Sequence, residues 1–416
     1  MLRHCFLLFF TVFITTTSYA TELTNILFDT GVCEFKSREE VLKNPAFTLF
    51  SWTDKSKARA MYYRKYKKQE LSFAGVLLEE AVIRFSNNSI VDLKVSFYNN
   101  GDNLSINDKK KFYSLIKDVS ERITKNLAVK PGKIVKSRAG GANLSSLKWS
   151  LPKFKAVLSW SEEGSTKKYL AKYLNLNITS NSFEKKPLTK AELKENVRKK
   201  DDDVYIPNFP MVDQGEKGYC AVATTTRVLT YYGYNVDMYH LASILGTTRT
   251  GTSVEGMFKA LKRLSSTYHF AIRQYIGFDN KKLYKIIKGY NSYAKKKGGR
   301  LFDFRVPADP FQIMDPEIYK EYRCIKNKAD FKKFILNVKR NIDLGLPVIW
   351  GLYLGIYKEP SNLQATGGHM RIIIGYNDKV KEIIYSDSWG SGHEFKTIPY
   401  DRAWAETLDY AVLIKR

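Results

Sequence analysis

A charged segment near the middle of the chain separates two halves with different residue patterns. The segment FEKKPLTKAELKENVRKKDDD, residues 183–203, contains almost no large apolar side chains. A stretch of this composition buries too little apolar surface to join a core, so it is typical of a linker or an exposed helix. We therefore predict a charged linker over residues 184–204, between an N-terminal domain (21–183) and a C-terminal domain (205–416).

The first twenty residues, MLRHCFLLFFTVFITTTSYA, have the pattern of a secretory signal peptide. A short basic start precedes an apolar run from Cys5 to about Ile14, and small residues at Ser18 and Ala20 indicate cleavage after Ala20. This run is too short to span a bilayer, and no later stretch approaches roughly 18 apolar residues. We therefore expect an exported protein, secreted or periplasmic, that is not transmembrane.

The formal net charge of +26 bears on the expected partners. Such a charge favours acidic partners, for example an anionic cell-surface polymer, although solvated basic faces would give the same composition. No basic run is interleaved with aromatic residues, so we expect no nucleic-acid partner.

The sequence of the N-terminal domain predicts mostly β-strands. Two alternating runs around the turn SNNS in AVIRFSNNSIVDLKVSFYN predict a hairpin, and LKWSL, FKAVLSW and KYLAKYLNLNIT predict further strands. Between them, INDKKKFYSLIKDVSERITKNLAV predicts one long amphipathic helix capped by Asn107. Its apolar face contains Phe112, Leu115, Ile116, Val119, Ile123 and Leu127. This domain is therefore predicted as α+β, an antiparallel sheet carrying one helix, and it contains no catalytic constellation.

The C-terminal domain begins with helical segments and ends in strands. CAVATTTRVLTYY, VDMYHLASILG, TSVEGMFKALKRL and DFKKFILNVKRNIDLG predict helices, whereas LPVIWGLYLG, HMRIIIGYN, EIIYSDSW and YAVLIKR predict strands. Helices first and an antiparallel sheet second is an α+β arrangement.

Cys220 is a candidate nucleophile because it stands at the start of a predicted helix. A thiol reacts as the thiolate, and a helix N-terminus with a nearby histidine lowers its pKa. Gly215 and Gly218 in the preceding turn allow the backbone to approach a substrate closely. Gln214 lies six positions before Cys220, where its amide could join the Cys220 N–H in holding an oxyanion. A buried structural cysteine is the alternative interpretation of Cys220 alone.

His369 is the candidate base among the five histidines. It starts an apolar strand in GGHMRIIIGYN, after two glycines that open space before its ring, of which Gly368 is adjacent. Eighteen residues later, Asp387 in SDSWG lies on the next predicted strand, and a turn around NDKVK would bring the two side chains together. An acid there would fix the histidine tautomer, and Trp389 could shield their hydrogen bond from water.

Taken together, QGEKGYCA, GGHMRIIIGYN and SDSWG resemble the motifs of the papain-like cysteine peptidases. The resemblance covers Tyr205 to Arg416, about half of the chain. Asp387 stands where papain itself has asparagine. An aspartate there, a short catalytic domain and GTS before a helix are more similar to the bacteriocin-leader-processing (double-glycine) branch of the superfamily.

The resemblance implies a papain-like catalytic domain, with a cysteine helix beside an antiparallel sheet, that acts on protein or peptide substrates. Cys220 would attack the scissile carbonyl, His369 would transfer the proton, Asp387 would orient His369, and Gln214 would hold the oxyanion. HExxH and paired CxxC motifs are absent from the sequence, so we expect no metal and no cofactor. Because the expected export differs from leader processing in the cytoplasm, a general exported peptidase fits better. A cell-wall amidase, isopeptidase or acyltransferase with the same triad, and an inactive binding module, are the alternatives.

Two questions stay open at the level of sequence. Export would leave Cys33, Cys220 and Cys324, so that Cys33 and Cys324 are a candidate disulfide if Cys220 is free, while three reduced cysteines are the alternative. The N-terminal domain is either a pro-region removed by cleavage near the charged linker or a permanent targeting domain.

Overall fold

A computed structural model describes residues 20–28, 35–86, 88–139, 142–164, 168–183, 186–215, 217–248, 250–252, 254–359, 364 and 366–416. The predicted signal peptide, apart from Ala20, therefore lies outside the described residues. Each half of the chain contains an eight-stranded sheet and a large apolar core. The predicted α+β class is confirmed. None of the helices in the described ranges combines the length and the apolar character needed to cross a bilayer.

The N-terminal sheet is antiparallel between all neighbouring strands. Its strands, in spatial order, are Ser51–Trp52, Arg59–Tyr63, Glu80–Ser86, Ser89–Asn99, Leu170–Ser180, Phe154–Glu163, Ala142–Ser150 and Val135–Ala139. The predicted hairpin is confirmed, since Ser86 pairs with Ser89. A smaller sheet and short helices complete this half: strands Thr21–Glu22, Leu71–Phe73 and Val76–Leu77, α-helices Leu23–Leu27 and Arg38–Lys43, and 3₁₀ turns Pro45–Leu49 and Arg64–Tyr66.

The predicted amphipathic helix is present as Lys109–Leu127 and packs against the N-terminal sheet. Five of the six predicted apolar residues are buried, and Leu115 is partly buried against the same core. The N-cap is Asp108 rather than the predicted Asn107, because the Asp108 carboxylate accepts the N–H groups of Lys110 and Lys111. A carboxylate at this position also interacts favourably with the helix dipole.

The C-terminal sheet is also antiparallel. Its four predicted strands follow the four predicted helices in the chain, whereas three strands that were not predicted lie before or between these helices. Its strands are Arg198–Lys200, Asp203–Tyr205, Gly367–Asn377, Val348–Leu354, Thr407–Lys415 and Phe270–Ile276 in spatial order, with Glu382–Ser386 and Lys396–Pro399 added beside Gly367–Asn377. Its helices are Cys220–Tyr231, Met238–Leu245, Val254–Leu264, Asn280–Lys297, Pro310–Ile313, Pro316–Glu321, the π-turn Tyr322–Lys326, Lys328–Ile342 and Tyr400–Glu406.

The segment predicted as a charged linker contributes to the C-terminal half. A helix at Lys190–Glu195, capped by Thr189, buries Leu193 in the C-terminal core. The hairpin Arg198–Lys200 and Asp203–Tyr205 then pairs with the strand Gly367–Asn377. The C-terminal sheet therefore begins at Arg198 rather than at Tyr205. Pairing of this kind uses backbone hydrogen bonds, so it does not require the apolar side chains that this segment lacks.

The two halves pack directly against each other. Tyr173 of the N-terminal sheet lies in the apolar core of the C-terminal half. Arg59 Nη1 donates to the Met211 carbonyl at 2.8 Å, and Lys94 Nζ donates to the Val236 carbonyl at 2.8 Å. Met211 precedes the helix Cys220–Tyr231 and Val236 follows it, so the N-terminal half contacts the chain on both sides of this helix.

Candidate active site

Cys220 is the first residue of the helix Cys220–Tyr231, here called the cysteine helix. Its thiol is free and partly exposed. Three consecutive threonines weaken the intrinsic helix propensity, but every residue after Cys220 is buried, so packing maintains the helix. Thr225 and Thr226 each donate a hydroxyl hydrogen to the carbonyl one turn earlier, at 2.8 Å. The unpaired N–H groups at the helix start favour a negative charge on the thiol.

The structure brings His369 and Asp387 together. His369 lies near the start of the strand Gly367–Asn377, here called the histidine strand, and Asp387 directly follows the antiparallel strand Glu382–Ser386. The His369 Nε2 atom lies 2.6 Å from Asp387 Oδ1, and both side chains are completely buried. The turn of residues 378–381 joins the two strands, as the sequence predicted.

Two further groups hold the Asp387 carboxylate. Arg371 Nε donates to Oδ2 at 2.7 Å, and the Ser388 N–H donates to Oδ1 at 2.8 Å. Burial favours the neutral acid, but the positive charges of His369 and Arg371 outweigh it and hold the pKa of Asp387 well below its usual range. Asp387 is therefore ionised at neutral pH.

Arg371 is itself paired on its other side. Its Nη1 and Nη2 atoms donate to the two carboxylate oxygens of Glu359, at 2.9 and 2.8 Å, and Tyr385 OH donates to the same group at 3.1 Å. The guanidinium also lies over the Tyr385 ring, 4.5 Å from the centroid. Arg371 thus compensates two acids, of which Asp387 is completely buried, and it fixes the Asp387 side chain in place.

The second ring nitrogen of His369, Nδ1, is buried and has no hydrogen-bond partner among the described residues. Burial alone would lower the pKa of His369, but Asp387 and the nearby Cys220 thiol outweigh burial and raise it to about 9. A protonated imidazole next to a thiol stabilises the thiolate. His369 is therefore protonated at neutral pH, beside Cys220.

Trp389 covers the imidazole. Its ring stacks on His369 with centroids 4.4 Å apart and an interplanar angle of 15°, and the residue is buried. Next to His369 in the sequence, a Cβ added at Gly368 would meet no atom within 4 Å, so the space beside this glycine is open. Gly218 was expected to let the backbone approach a substrate. In the structure it lies instead against another turn of this chain, where an added Cβ would be 2.6 Å from the Gly251 nitrogen. Gly218 is needed for packing between two turns of this chain.

Gln214 is buried beside the residue that follows Asp387. Its Oε1 atom accepts the Ser388 hydroxyl hydrogen at 2.6 Å, and its N–H donates to the Ser388 carbonyl at 2.9 Å. Its Nε2 atom donates to the Lys217 carbonyl at 3.2 Å. A carboxamide nitrogen carries two hydrogens, so one donor remains for another acceptor.

The cysteine helix is tied to both strands of the site. Thr224 donates its hydroxyl hydrogen to the Met370 carbonyl at 3.3 Å, next to His369. Arg227, completely buried two turns after Cys220, donates to the Asp387 carbonyl at 2.6 Å and to the Ser386 hydroxyl. These contacts fix the cysteine helix relative to His369 and Asp387.

Cys324 forms no disulfide with another described cysteine, and its predicted disulfide with Cys33 stays a prediction. Cys33 itself lies outside the described residues. Cys324 donates to the Asp401 carbonyl at 3.5 Å, and burial raises the pKa of its thiol to about 12. It therefore remains a neutral thiol at neutral pH.

Sequence reasoning did not identify Arg371, Glu359, Arg227, Ser388 or Lys217. Arg371 carried a usable signal, because it is the one charged side chain in the apolar run HMRIIIGYN and shares a strand face with His369. Glu359 carried no local signal, since its partner lies twelve residues away and only the sheet brings them together.

Two family models match the C-terminal half of the chain. The Peptidase C39 family matches residues 208–293, which include Gln214 and Cys220. The Peptidase_C39 like family matches residues 307–412, which include His369 and Asp387. The four predicted site residues are thus divided between the two matches.

Two solved structures are similar to this chain at low identity. The peptidase domain of Streptococcus ComA, a bi-functional ABC transporter involved in a quorum sensing pathway, is 12% identical with a TM-score of 0.26. That match covers 50% of this chain and 100% of the ComA chain. Xylellain, a cysteine protease from Xylella fastidiosa, is 15% identical with a TM-score of 0.28, covering 56% of this chain and 91% of its own. No curated protein matches this chain.

Proposed function

We propose that this cysteine-type peptidase, whose C-terminal half is similar to the C39 family, hydrolyses peptide bonds with a Cys220–His369–Asp387 triad. The observation that carries the proposal is the buried 2.6 Å contact between His369 Nε2 and Asp387, which leaves Nδ1 to interact with Cys220. An inactive binding module would not need this buried charge arrangement, which is costly to maintain.

The first half of the reaction is acylation. The Cys220 thiolate forms a bond to the scissile carbonyl carbon while the carbonyl π electrons move to oxygen. When the tetrahedral intermediate collapses, the C–N bond breaks and the leaving amine takes the proton from His369. The product is a thioester on Cys220 and a neutral imidazole, which Asp387 holds in the required tautomer.

The second half returns the site to its resting state. His369 removes a proton from water as the water oxygen attacks the thioester carbonyl. Collapse of this intermediate breaks the C–S bond, releases the carboxylic acid and restores the thiolate beside protonated His369. In both halves the remaining Gln214 amide hydrogen and the Cys220 N–H would stabilise the oxyanion.

The function is tested by digesting a proteome-derived peptide library with the wild type and identifying the new termini by mass spectrometry. We expect cleavage at amide bonds between α-amino acids, suppressed by prior alkylation of Cys220. Peptidoglycan is digested in parallel. Release of muropeptide fragments without any cleavage of the library would contradict a peptidase and favour the cell-wall amidase.

The pH profile of kcat/KM should report the charge of His369. Its pKa is raised to about 9, above the usual value near 6.5, so the imidazolium that protonates the leaving amine is present below pH 9 and lost above it. We expect an alkaline limb near pH 9. Replacing Asp387 with Asn removes a charge that raises this pKa, so the limb should move to lower pH. An unmoved limb would contradict the assignment.

Export is part of the same proposal. It is supported by the sequence of residues 1–20 and sets the expected substrates as proteins or peptides outside the cytoplasm. Sequencing the N-terminus of the protein recovered from the medium or periplasm should give Thr21; recovery of the intact N-terminus from the cytoplasm alone would oppose export.

A further inference from the structure

Lys217 lies in the turn between Gln214 and Cys220, yet its side chain is buried against the N-terminal half. The side chain is 1% exposed, and Nζ lies 2.8 Å from Asp102 Oδ2 and 3.7 Å from Glu80 Oε2. Both carboxylates belong to the N-terminal half. Removing the partners of a buried charge is strongly unfavourable, so this conformation of the turn depends on the N-terminal half being in place.

The surroundings of the ammonium group are built from tyrosines of both halves. Nζ donates to Tyr239 OH at 3.0 Å, and Tyr239 in turn donates to Glu80 at 2.5 Å. Tyr63 donates to the other oxygen of Asp102. The ammonium also lies 5.0 to 5.3 Å from the ring centroids of Tyr63, Tyr219 and Tyr239. These contacts satisfy the charge and fix its position.

The backbone of the same residue holds the predicted oxyanion donor. The Lys217 carbonyl accepts a hydrogen bond from Gln214 Nε2 at 3.2 Å and from the Tyr219 N–H at 2.6 Å. The side chain of Lys217 is therefore fixed by the N-terminal half, while its carbonyl orients Gln214 and the residue before Cys220.

Close packing continues on both sides of Lys217. A Cβ added at Gly215, which has φ +67°, would lie 3.4 Å from the Tyr63 ring. A Cβ added at Gly101 would lie 2.9 Å from Tyr219 OH. Gly215, Lys217 and Tyr219 of this turn are thus packed against the N-terminal half.

We propose that Lys217 is a positioning residue, held by Asp102 and Glu80, through which the N-terminal half fixes the Gln214–Cys220 turn for catalysis. The N-terminal half is then a permanent part of the active enzyme rather than a pro-region that must leave. This inference rests on the proposed function, because Lys217 acts on the reaction through Gln214.

The test is a double-mutant cycle of Lys217→Met and Gln214→Ala. For each variant, kcat is calculated from the concentration of Cys220 that reacts with a thiol-directed active-site probe, so that unfolded protein does not lower the value. Removing one oxyanion donor lowers kcat by about 100- to 1,000-fold. Lys217→Met misplaces this donor without removing it, so we expect a smaller decrease in kcat, about 10- to 100-fold. In the Gln214→Ala background, Lys217→Met should cause little further loss. Lys94→Met, which removes another interface lysine, is the matched control and should leave kcat per site unchanged.

Hydrogen exchange of a peptide spanning residues 211–221 provides a second measurement that does not depend on activity. It should be faster in Lys217→Met than in the wild type or Lys94→Met, because the Tyr219 N–H loses its fixed acceptor. Equal losses of kcat with and without Gln214, together with unchanged exchange, would overturn the positioning role. If no variant or wild type cleaves peptides, the proposed function fails, and the exchange data alone decide whether Lys217 fixes the turn.

Discussion

The Cys220→Ala variant should lose peptide hydrolysis by more than about 1,000-fold and should no longer be labelled by a thiol-directed probe. The reason is that alanine lacks the sulfur that is proposed to form the acyl-enzyme, while the helix and its buried residues stay unchanged. The variant should therefore fold with the same melting temperature as the wild type, within a few degrees. Labelling is measured by intact mass and hydrolysis by release of a fluorogenic peptide product.

Cys324→Ala is the matched control for this experiment. Its thiol is partly exposed like that of Cys220, but burial raises its pKa to about 12, so almost none of it is thiolate at neutral pH. We expect this variant to keep both the labelling and the hydrolysis of the wild type. If Cys324→Ala instead removed the label while Cys220→Ala kept it, the assignment of the nucleophile would be wrong.

Arg371→Met should lower the free energy of unfolding by about 3–5 kcal/mol, which is typical when one partner of a buried ion pair is removed. Arg371 is completely buried between Asp387 and Glu359, so methionine removes the guanidinium that both carboxylates contact. Asp387 then loses one of the two cations that lower its pKa, together with a hydrogen bond that fixes its side chain beside His369. The same change should therefore reduce kcat/KM as well as stability.

Urea denaturation measures the stability of this variant, with Lys379→Met as the control. Lys379 pairs with Asp202 at 3.0 Å, but the two side chains are 75% and 54% exposed. Water screens such a pair, so its loss should cost less than about 1 kcal/mol. Similar losses in the two variants would contradict a special role for Arg371.

Arg371 also accounts for the aspartate at position 387, where papain has asparagine. A neutral amide can orient a histidine without compensation, whereas an aspartate at this position places a negative charge on a completely buried side chain. Here the Arg371 guanidinium supplies the compensating charge, and Glu359 balances the arginine in turn. The choice of acid at this position is therefore linked to two residues outside the proposed triad.

The sequence by itself determined the local elements and the order of the site residues. Period-two runs predicted the hairpin that begins at Glu80, and period-3.6 spacing predicted the helix Lys109–Leu127. Motif order and spacing identified Gln214, Cys220, His369 and Asp387, and the structure places the last two in contact. These features depend on neighbours a few residues apart or on one short turn, which is why pattern and motif could reveal them.

Only the tertiary structure decided which distant groups meet. It added the charged segment to the C-terminal sheet and joined Lys217 to Asp102 across 115 residues of chain. The local composition predicted an exposed linker for the charged segment, and it did not distinguish Lys217 from the lysines on the surface. A buried charge is stable only when its partners are already in position, and those partners are supplied by the packing of the two halves rather than by any neighbouring residue in the sequence.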